Sequence, residues 1–161
     1  ISPGDVDVVA VTAAVIEATR AEAMGQAVTL SLETAAEQMH VHSDATRIRQ
    51  VLHNLISNAA KYNRPGGEVR VVVSRMEDGF TRIAVADDGP GIPDDARERL
   101  YEPFNRLGRE ASQVKGTGVG LTISRRIADA LGARLDHASG AEGGTTFWFD
   151  LPPGDHLVGD V

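Results

Sequence analysis

Cysteine is absent from this 161-residue chain, which excludes disulfides and thiolate metal sites and fits a reducing compartment. Basic side chains are in the minority, 16 against 23 acidic, for a formal net charge of -7. That balance argues against a general nucleic-acid binder, because a phosphate backbone needs a basic surface. No apolar run approaches the roughly 20 residues that span a bilayer, and no signal peptide is visible. Internal repeats and low-complexity segments are missing as well. The chain opens on Ile1 rather than methionine, so it is expected to be a piece of something longer. What remains is 42% apolar and 24% charged residues, an ordinary soluble composition, in a length that fits one domain with a real core.

The periodicities predict alternating helices and strands. Asp7 to Met24 places Val8, Val11, Val15 and Ala18 at helical spacing, with Gly25 as the stop. Val28–Leu32 alternates with period two, and a shorter strand is expected around Met39–His42. Ser43 or Asp44 then caps a long helix running to about Tyr62. Pro65-Gly66-Gly67 turns the chain into a strand at Val69–Val73. Glu77-Asp78-Gly79 turns it again into Thr81–Asp87, as an antiparallel hairpin. From Gly89 to Gly118 the pattern dissolves into Gly, Pro and charged residues, with at most a short helix near Asp94–Tyr101. A stretch of that length is a functional lid or a disordered segment. A helix at Val119–Leu131 ends at Gly132, and strands at Arg134–His137 and Thr145–Leu151 finish the sheet. Phe147, Phe149 and Leu151 face one way, Trp148 packs on the outer side, and Pro152 onward reads as a tail. The pattern is that of a two-layer α/β sandwich with one mixed sheet.

Three stretches carry chemistry. In the helix Asp44–Tyr62, Ile48, Leu52, Leu55, Ile56 and Ala59 share a face that must be buried, and Asn54 and Asn58 lie on one stripe at its edge, with Arg47 and Lys61. Asparagine is a poor mid-helix residue, so two on one stripe call for a reason. A carboxamide oxygen is a hard neutral ligand suited to Mg²⁺ beside phosphates, and a solvated polar face is the alternative. Asp87, at a strand end before Gly89-Pro90-Gly91, is either a carboxylate accepting from an exocyclic amine or part of a plain turn. Gly116-Thr117-Gly118-Val119-Gly120-Leu121 opens a helix and bares N–H groups at its positive end, where phosphates are stabilised. The spacing fits neither the dinucleotide-binding fingerprint nor a Walker P-loop. The histidines show no zinc spacing, and His53 reads as a partly buried polar side chain.

In this order the motifs resemble the catalytic ATP-binding domain of sensor histidine kinases, in the superfamily shared with DNA gyrase, MutL and the heat-shock chaperone ATPases. Asn54–Lys61 is similar to the N box, Asp87–Gly91 to the first G box and Gly116–Leu121 to the second. Tyr101-Glu102-Pro103-Phe104-Asn105-Arg106 is similar to the F box, and Gly143–Phe147 with Leu151-Pro152 to the closing segment. The resemblance implies a Bergerat-type sandwich of about five strands covered on one face by three main helices, spanning residues 1–152 with a flexible lid at about 93–117 and a tail at 153–161. It implies ATP and Mg²⁺ as cofactors. Asn58 would ligate the metal, with Asn54 supporting the phosphates, Lys61 reaching them and Tyr62 packing beside the nucleotide. Asp87 would accept from the adenine amine, helped by Thr145 through a shared water. Gly89, Gly91 and Ile92 would line the pocket. Thr117, Gly118, Val119, Gly120 and Leu121 would hold phosphate oxygens, and Arg106 would come from the lid toward the γ-phosphate.

Two departures shape what the resemblance implies. Hydrolytic relatives carry a glutamate four residues before the metal asparagine. Here Asn54 stands at that place, and an amide cannot take a proton from water, so transfer is favoured over hydrolysis. None of His40, His42, His53, His137 and His156 sits in the phosphoacceptor setting, so the acceptor is expected on a separate dimerisation and histidine-phosphotransfer domain of the same parent, with a response regulator downstream. The piece itself is expected to be a cytoplasmic, monomeric, non-spanning domain. An anti-sigma-factor serine kinase is disfavoured by the F box and Lys61-Tyr62, and a gyrase- or MutL-type ATPase by Asn54. A nucleotide sensor without transfer activity is disfavoured by the intact motifs.

Overall fold

Val69, Val71 and Val73 are buried while Glu68 and Arg70 beside them are exposed, the two-sided pleat that the alternation requires. A computed structural model describes residues 3–89, 118–140 and 143–153. Among them the elements run β1 (Gly4–Asp7), α1 (Val8–Gly25), β2 (Thr29–Thr34), β3 (His40–Ser43), α2 (Ala45–Lys61), β4 (Glu68–Arg75), β5 (Thr81–Asp87), α3 (Gly118–Leu131), β6 (Arg134–Ser139) and β7 (Thr145–Leu151). Five strands form a mixed sheet in the order β2-β4-β5-β7-β6, with β2 parallel to β4 and the other pairs antiparallel. The three helices form one layer on this sheet. α2 lies over β4 and β5, with α1 on the β2 side and α3 on the β6 side. This is the two-layer sandwich expected from the sequence.

The core lies between the layers. Ile48, Val51, Leu52, Leu55 and Ile56 of α2 are almost wholly buried, as are Ile83, Phe149 and Leu151 of the sheet. Each such side chain contributes about 1.5–3 kcal/mol of transfer free energy. α2 is capped by Asp44, one of the two residues the sequence offers, and α1 by Asp7, which the sequence reading places inside the helix. Asp44 Oδ1 accepts from the Arg47 N–H at 3.1 Å, and Asp7 Oδ1 from the Val9 N–H at 3.1 Å. Asp7 Oδ1 also accepts from the Met39 N–H at 3.1 Å, fastening the start of α1 to the approach of β3.

Three expectations change. A strand at Gly4–Asp7 escaped the sequence reading because Val6 is its one apolar residue, too little for a period. It pairs antiparallel with β3, so the strand expected at Met39–His42 belongs to a separate two-stranded sheet. Gly25 stays helical, and the left-handed residue that ends α1 is Ala27 at φ 58°. The Gly66 N–H bonds the Ala27 carbonyl at 2.7 Å and holds that conformation. His53, expected to be partly buried, is exposed. The helix expected near Asp94–Tyr101 lies outside the described residues, as does the tail beyond Pro153; Pro152 itself is buried.

Candidate functional site

α2 is the central element of the site. It carries Arg47, Arg49 and Lys61 and no acidic residue, in a chain whose net charge is -7. Cations are therefore concentrated on the helix that bears the asparagine stripe. Asn58 is 8% exposed, and its side-chain amide has no hydrogen-bond partner among the described residues. Its amide atoms are not sealed from solvent, so water or a ligand can reach them. Asn54 is half-buried, and its Nδ2 donates to Ser124 Oγ of α3 at 3.1 Å. Tyr62 caps the helix, is 8% exposed, and donates its N–H to the Asn58 carbonyl at 3.0 Å.

Just past the C-terminal end of α2 lies the Asp87 corner. Asp87 ends β5, registered with Val69 on one side and with Thr145 on the other. Its Oδ1 accepts the Gly89 N–H at 3.0 Å. Thr145 is 4% exposed, and its Oγ1 has no hydrogen-bond partner among the described residues. The backbone here is close-packed. A Cβ on Gly89 would sit 3.0 Å from Asn63 Oδ1 and 3.1 Å from Asn63 Cα. Gly144, at φ +82°, donates its N–H to the Gly89 carbonyl at 2.6 Å, and a Cβ there would sit 2.6 Å from the Asp87 carbonyl oxygen. Gly144 requires glycine and Gly89 is tightly confined, and together they bring the first glycine cluster and the closing segment into contact around Asp87 and Thr145. Asp88 Oδ1 accepts the Glu68 N–H at 2.8 Å. That bond holds its carboxyl below the usual range of 3.8, with burial opposing and Asn63 and Arg64 assisting.

Gly118, Val119 and Gly120 form the first turn of α3, and Leu121 follows with its side chain in the core. A helix start of this kind offers unpaired N–H groups to an anion. Lys61 Nζ is 3.7 Å from Glu22 Oε1 of α1, the same oxygen that accepts from Ser57 Oγ at 3.1 Å. Gly91, Ile92, Arg106 and Thr117 lie outside the described residues, with the segment similar to an F box.

The sequence reading missed Ser124, Glu22 and Asn63. Ser124 left one usable signal, a hydroxyl three residues after Leu121 and three before Ile127 on the buried face of α3. Glu22 left none, since its partners lie on another helix.

Residues 43–155 match the family model described as histidine kinase-, DNA gyrase B-, and HSP90-like ATPase. The sensor histidine kinase AruS of Pseudomonas aeruginosa is 45% identical over 109 residues, 65% of this chain and 11% of that protein. The adaptive-response sensory kinase SasA of Synechococcus sp. (strain CC9902) is 32% identical over 151 residues, 94% of this chain and 39% of that protein. The chain thus spans well under half of these relatives. Among solved structures, full-length ShkA in complex with AMPPNP superposes with a TM-score of 0.82 at 29% identity, covering 98% of this chain and 32% of that one. The nucleotide-free catalytic domain of the histidine kinase ThkA gives 0.81 at 27% identity, covering 94% and 98%. With an asparagine-bearing helix set between the Asp87 corner and the glycine-opened start of α3, the chain belongs to the histidine kinase-, DNA gyrase B-, and HSP90-like ATPase family, as an ATP-binding domain of the sensor histidine kinase type.

Proposed function

We propose that the domain binds ATP with Mg²⁺ and donates the γ-phosphoryl group to a histidine on a separate helical phosphoacceptor domain of its parent protein. The observation that carries this reading is the bridging position of α2. The residue just past its end, Asn63, abuts Gly89 beside Asp87, and Asn54 is hydrogen-bonded to α3 one turn beyond its glycine-opened start.

Asp87 accepts from the adenine amine, and the buried Thr145 hydroxyl completes its hydrogen bonding through a water shared with the ring. Tyr62, Gly89, Gly91 and Ile92 line the ring's surroundings. Thr117, Gly118, Val119, Gly120 and Leu121 offer N–H groups to phosphate oxygens, with Lys61, and with Arg106 from the lid at about 93–117. The donor set fits a hydrated magnesium ion. Asn58 has a solvent-reachable amide with no hydrogen-bond partner among the described residues, and no group of three or more His, Cys, Asp or Glu among them could hold a metal by itself. Asn58 would therefore share the ion with phosphate oxygens. When bound, the ion neutralises charge on the triphosphate.

In the transfer, the bond from the γ-phosphorus to the bridging oxygen breaks as a bond from the acceptor imidazole nitrogen forms. ADP leaves, and the imidazole gives up its N–H proton. The domain contributes positioning and charge neutralisation. Asn54 cannot act as a base toward water, which favours transfer over hydrolysis. The ThkA kinase has been solved with the response regulator protein TrrA, and a response regulator is the corresponding downstream partner here.

Calorimetry of the chain with ATP in Mg²⁺ and in EDTA tests the binding, and labelled ATP supplied with the parent's phosphoacceptor hairpin tests the transfer. Mg²⁺-dependent binding followed by acid-labile labelling of the hairpin is expected. Absence of Mg²⁺-linked ATP binding at millimolar concentrations would overturn the reading.

A further inference from the structure

Among the described residues β2 and β6 are the outer strands of the five-stranded sheet, so each has one row of backbone groups with no strand beside it. Backbone groups of successive residues point to opposite sides of a strand, and two short contacts show which residues own the outer row. The Thr29 N–H bonds the Gly67 carbonyl at 3.1 Å, toward β4, so the groups of Leu30 and Leu32 point outward. The Gly140 N–H bonds the Gly144 carbonyl at 3.0 Å, toward β7, so those of Leu135, His137 and Ser139 point outward. Each row is interrupted by an arginine ten residues upstream, on the helix that precedes the strand. Arg20 Nη1 of α1 donates to the Leu30 carbonyl at 3.3 Å, and Arg125 Nη1 of α3 donates to the Leu135 carbonyl at 3.0 Å. Glu17 steadies Arg20 by accepting from its Nε at 3.3 Å and its Nη2 at 3.2 Å. On β6 the next outward group is engaged as well, since the His137 N–H donates to Asp136 Oδ1 at 2.8 Å.

We propose that Arg20 and Arg125 close the two edges of the sheet against strand addition by a second copy of this chain. An open edge is a row of unpaired donors and acceptors, and so a template for another strand. An added strand lies about 4.8 Å away. A guanidinium nitrogen 3.0 Å from the outward carbonyl stands inside that gap and takes the acceptor that a new ladder needs. An identical edge is the partner such a row fits, paired antiparallel about a two-fold axis. That pairing would also bring two guanidinium groups into one interface, an unfavourable juxtaposition of like charges. The device occurs twice for a topological reason. α1 to β2 and α3 to β6 are the two places among the described residues where a helix leads directly into an outer strand, and the spacing from arginine to carbonyl is the same in both. With two of its outward groups engaged, β6 is the more completely closed edge.

The test uses the whole chain, read by light scattering over a concentration series and by backbone amide exchange, with a cooperative melting transition required of every variant. Wild-type protein is expected to stay monomeric, with the Leu135 and Ser139 amides exchanging at the same rate throughout. Arg125→Met keeps the apolar stem and removes the donors, and Asp136→Ala added to it frees the His137 N–H. This double variant is expected to move toward the dimer mass as concentration rises and to return on dilution, while the Leu135, His137 and Ser139 amides gain protection in step. Arg125→Lys, which keeps a cation able to donate, stays monomeric. Arg20→Met makes the same change at β2, with protection expected at the Leu30 and Leu32 amides, and it carries the test if the β6 variant fails to fold. Wild-type protein that already pairs through these amides would overturn the inference, as would folded variants at both edges that remain monomeric at every concentration. Association that persists on dilution, or that protects none of the outward amides, would also overturn it, because that is aggregation of unfolded chain and not strand addition.

Discussion

Asp87 and Thr145 face each other in register across β5 and β7, one a half-buried carboxylate and the other a buried hydroxyl without a partner among the described residues. In the proposed site the carboxylate takes the exocyclic amine of adenine and the hydroxyl completes a bridging water. Asp87→Asn puts an amide where two acceptor oxygens stood, so the preference for ATP over GTP is expected to fall about tenfold or more, the range for a hydrogen bond to a charged group. Thr145→Val keeps the shape and removes the hydroxyl, and ATP affinity is expected to fall less, about threefold. Paired calorimetric titrations with ATP and GTP check both, and unchanged selectivity in Asp87→Asn would remove it from the base site.

Much of this site was legible because its parts are local. The buried stripe of α2, the β4–β5 hairpin and the helix starting at Gly118 each follow from the spacing of apolar residues and glycines over one or two turns. The partners that join these parts were not. Ser124 meets Asn54, and Glu22 meets Lys61 and Ser57, only because helices pack side by side at a particular depth and rotation. Periodicity gives the buried face of a helix but not which residue of a neighbouring helix it meets. Ala27 was hidden for another reason. Its left-handed conformation is held by the bond from Gly66, far downstream in the sequence, against the local preference for glycine.

Arg82 donates through Nε and Nη2 to the two carboxylate oxygens of Asp150, each at 2.9 Å, and stands over Trp148 at 5.1 Å. Asp150 is 1% exposed, so removing its main partner leaves a nearly buried charge. Loss of such a partner costs about 3–5 kcal/mol. Arg134, 3.2 Å from Asp150 on the other side, offsets part of this. Arg82→Ala is therefore expected to cost about 2 kcal/mol, a fall of about 4–8 °C in Tm by calorimetry. The pair lies on the outer face of the sheet, away from the asparagine stripe, and Mg-ATP affinity below the melting range should stay as in the wild type.

Asp88 gives the domain an acid-sensitive contact at the edge of the site. Its carboxyl is held below the ordinary 3.8 chiefly by the Glu68 N–H. A depressed folded-state value contributes stability above the unfolded value, and that stability disappears as pH falls through the folded one. Asp88→Ala should lower Tm by about 1–3 °C near pH 7, and the gap should close as the pH falls below the ordinary 3.8 and through the lowered folded-state value. A difference that persists unchanged at acid pH would mean that the loss comes from packing and not from the charge.

Glu22 holds Lys61 on the α1 side of the site, with Nζ at 3.7 Å from an oxygen already engaged by Ser57. For Lys61 to reach a phosphate, as proposed, the ammonium must leave this carboxylate, so Glu22 competes with the nucleotide for it. Both side chains are about one-third exposed, and a pair of that kind is worth about 0–1 kcal/mol. Glu22→Gln keeps the acceptor for Ser57 and removes the competing charge. Mg-ATP affinity is then expected to rise about two- to fivefold at low salt, with the gain shrinking as ionic strength increases. In a Lys61→Met background the same substitution should change nothing, because the competition acts through that ammonium alone. Weaker binding in Glu22→Gln would show that the carboxylate orients Lys61 toward the triphosphate instead of restraining it.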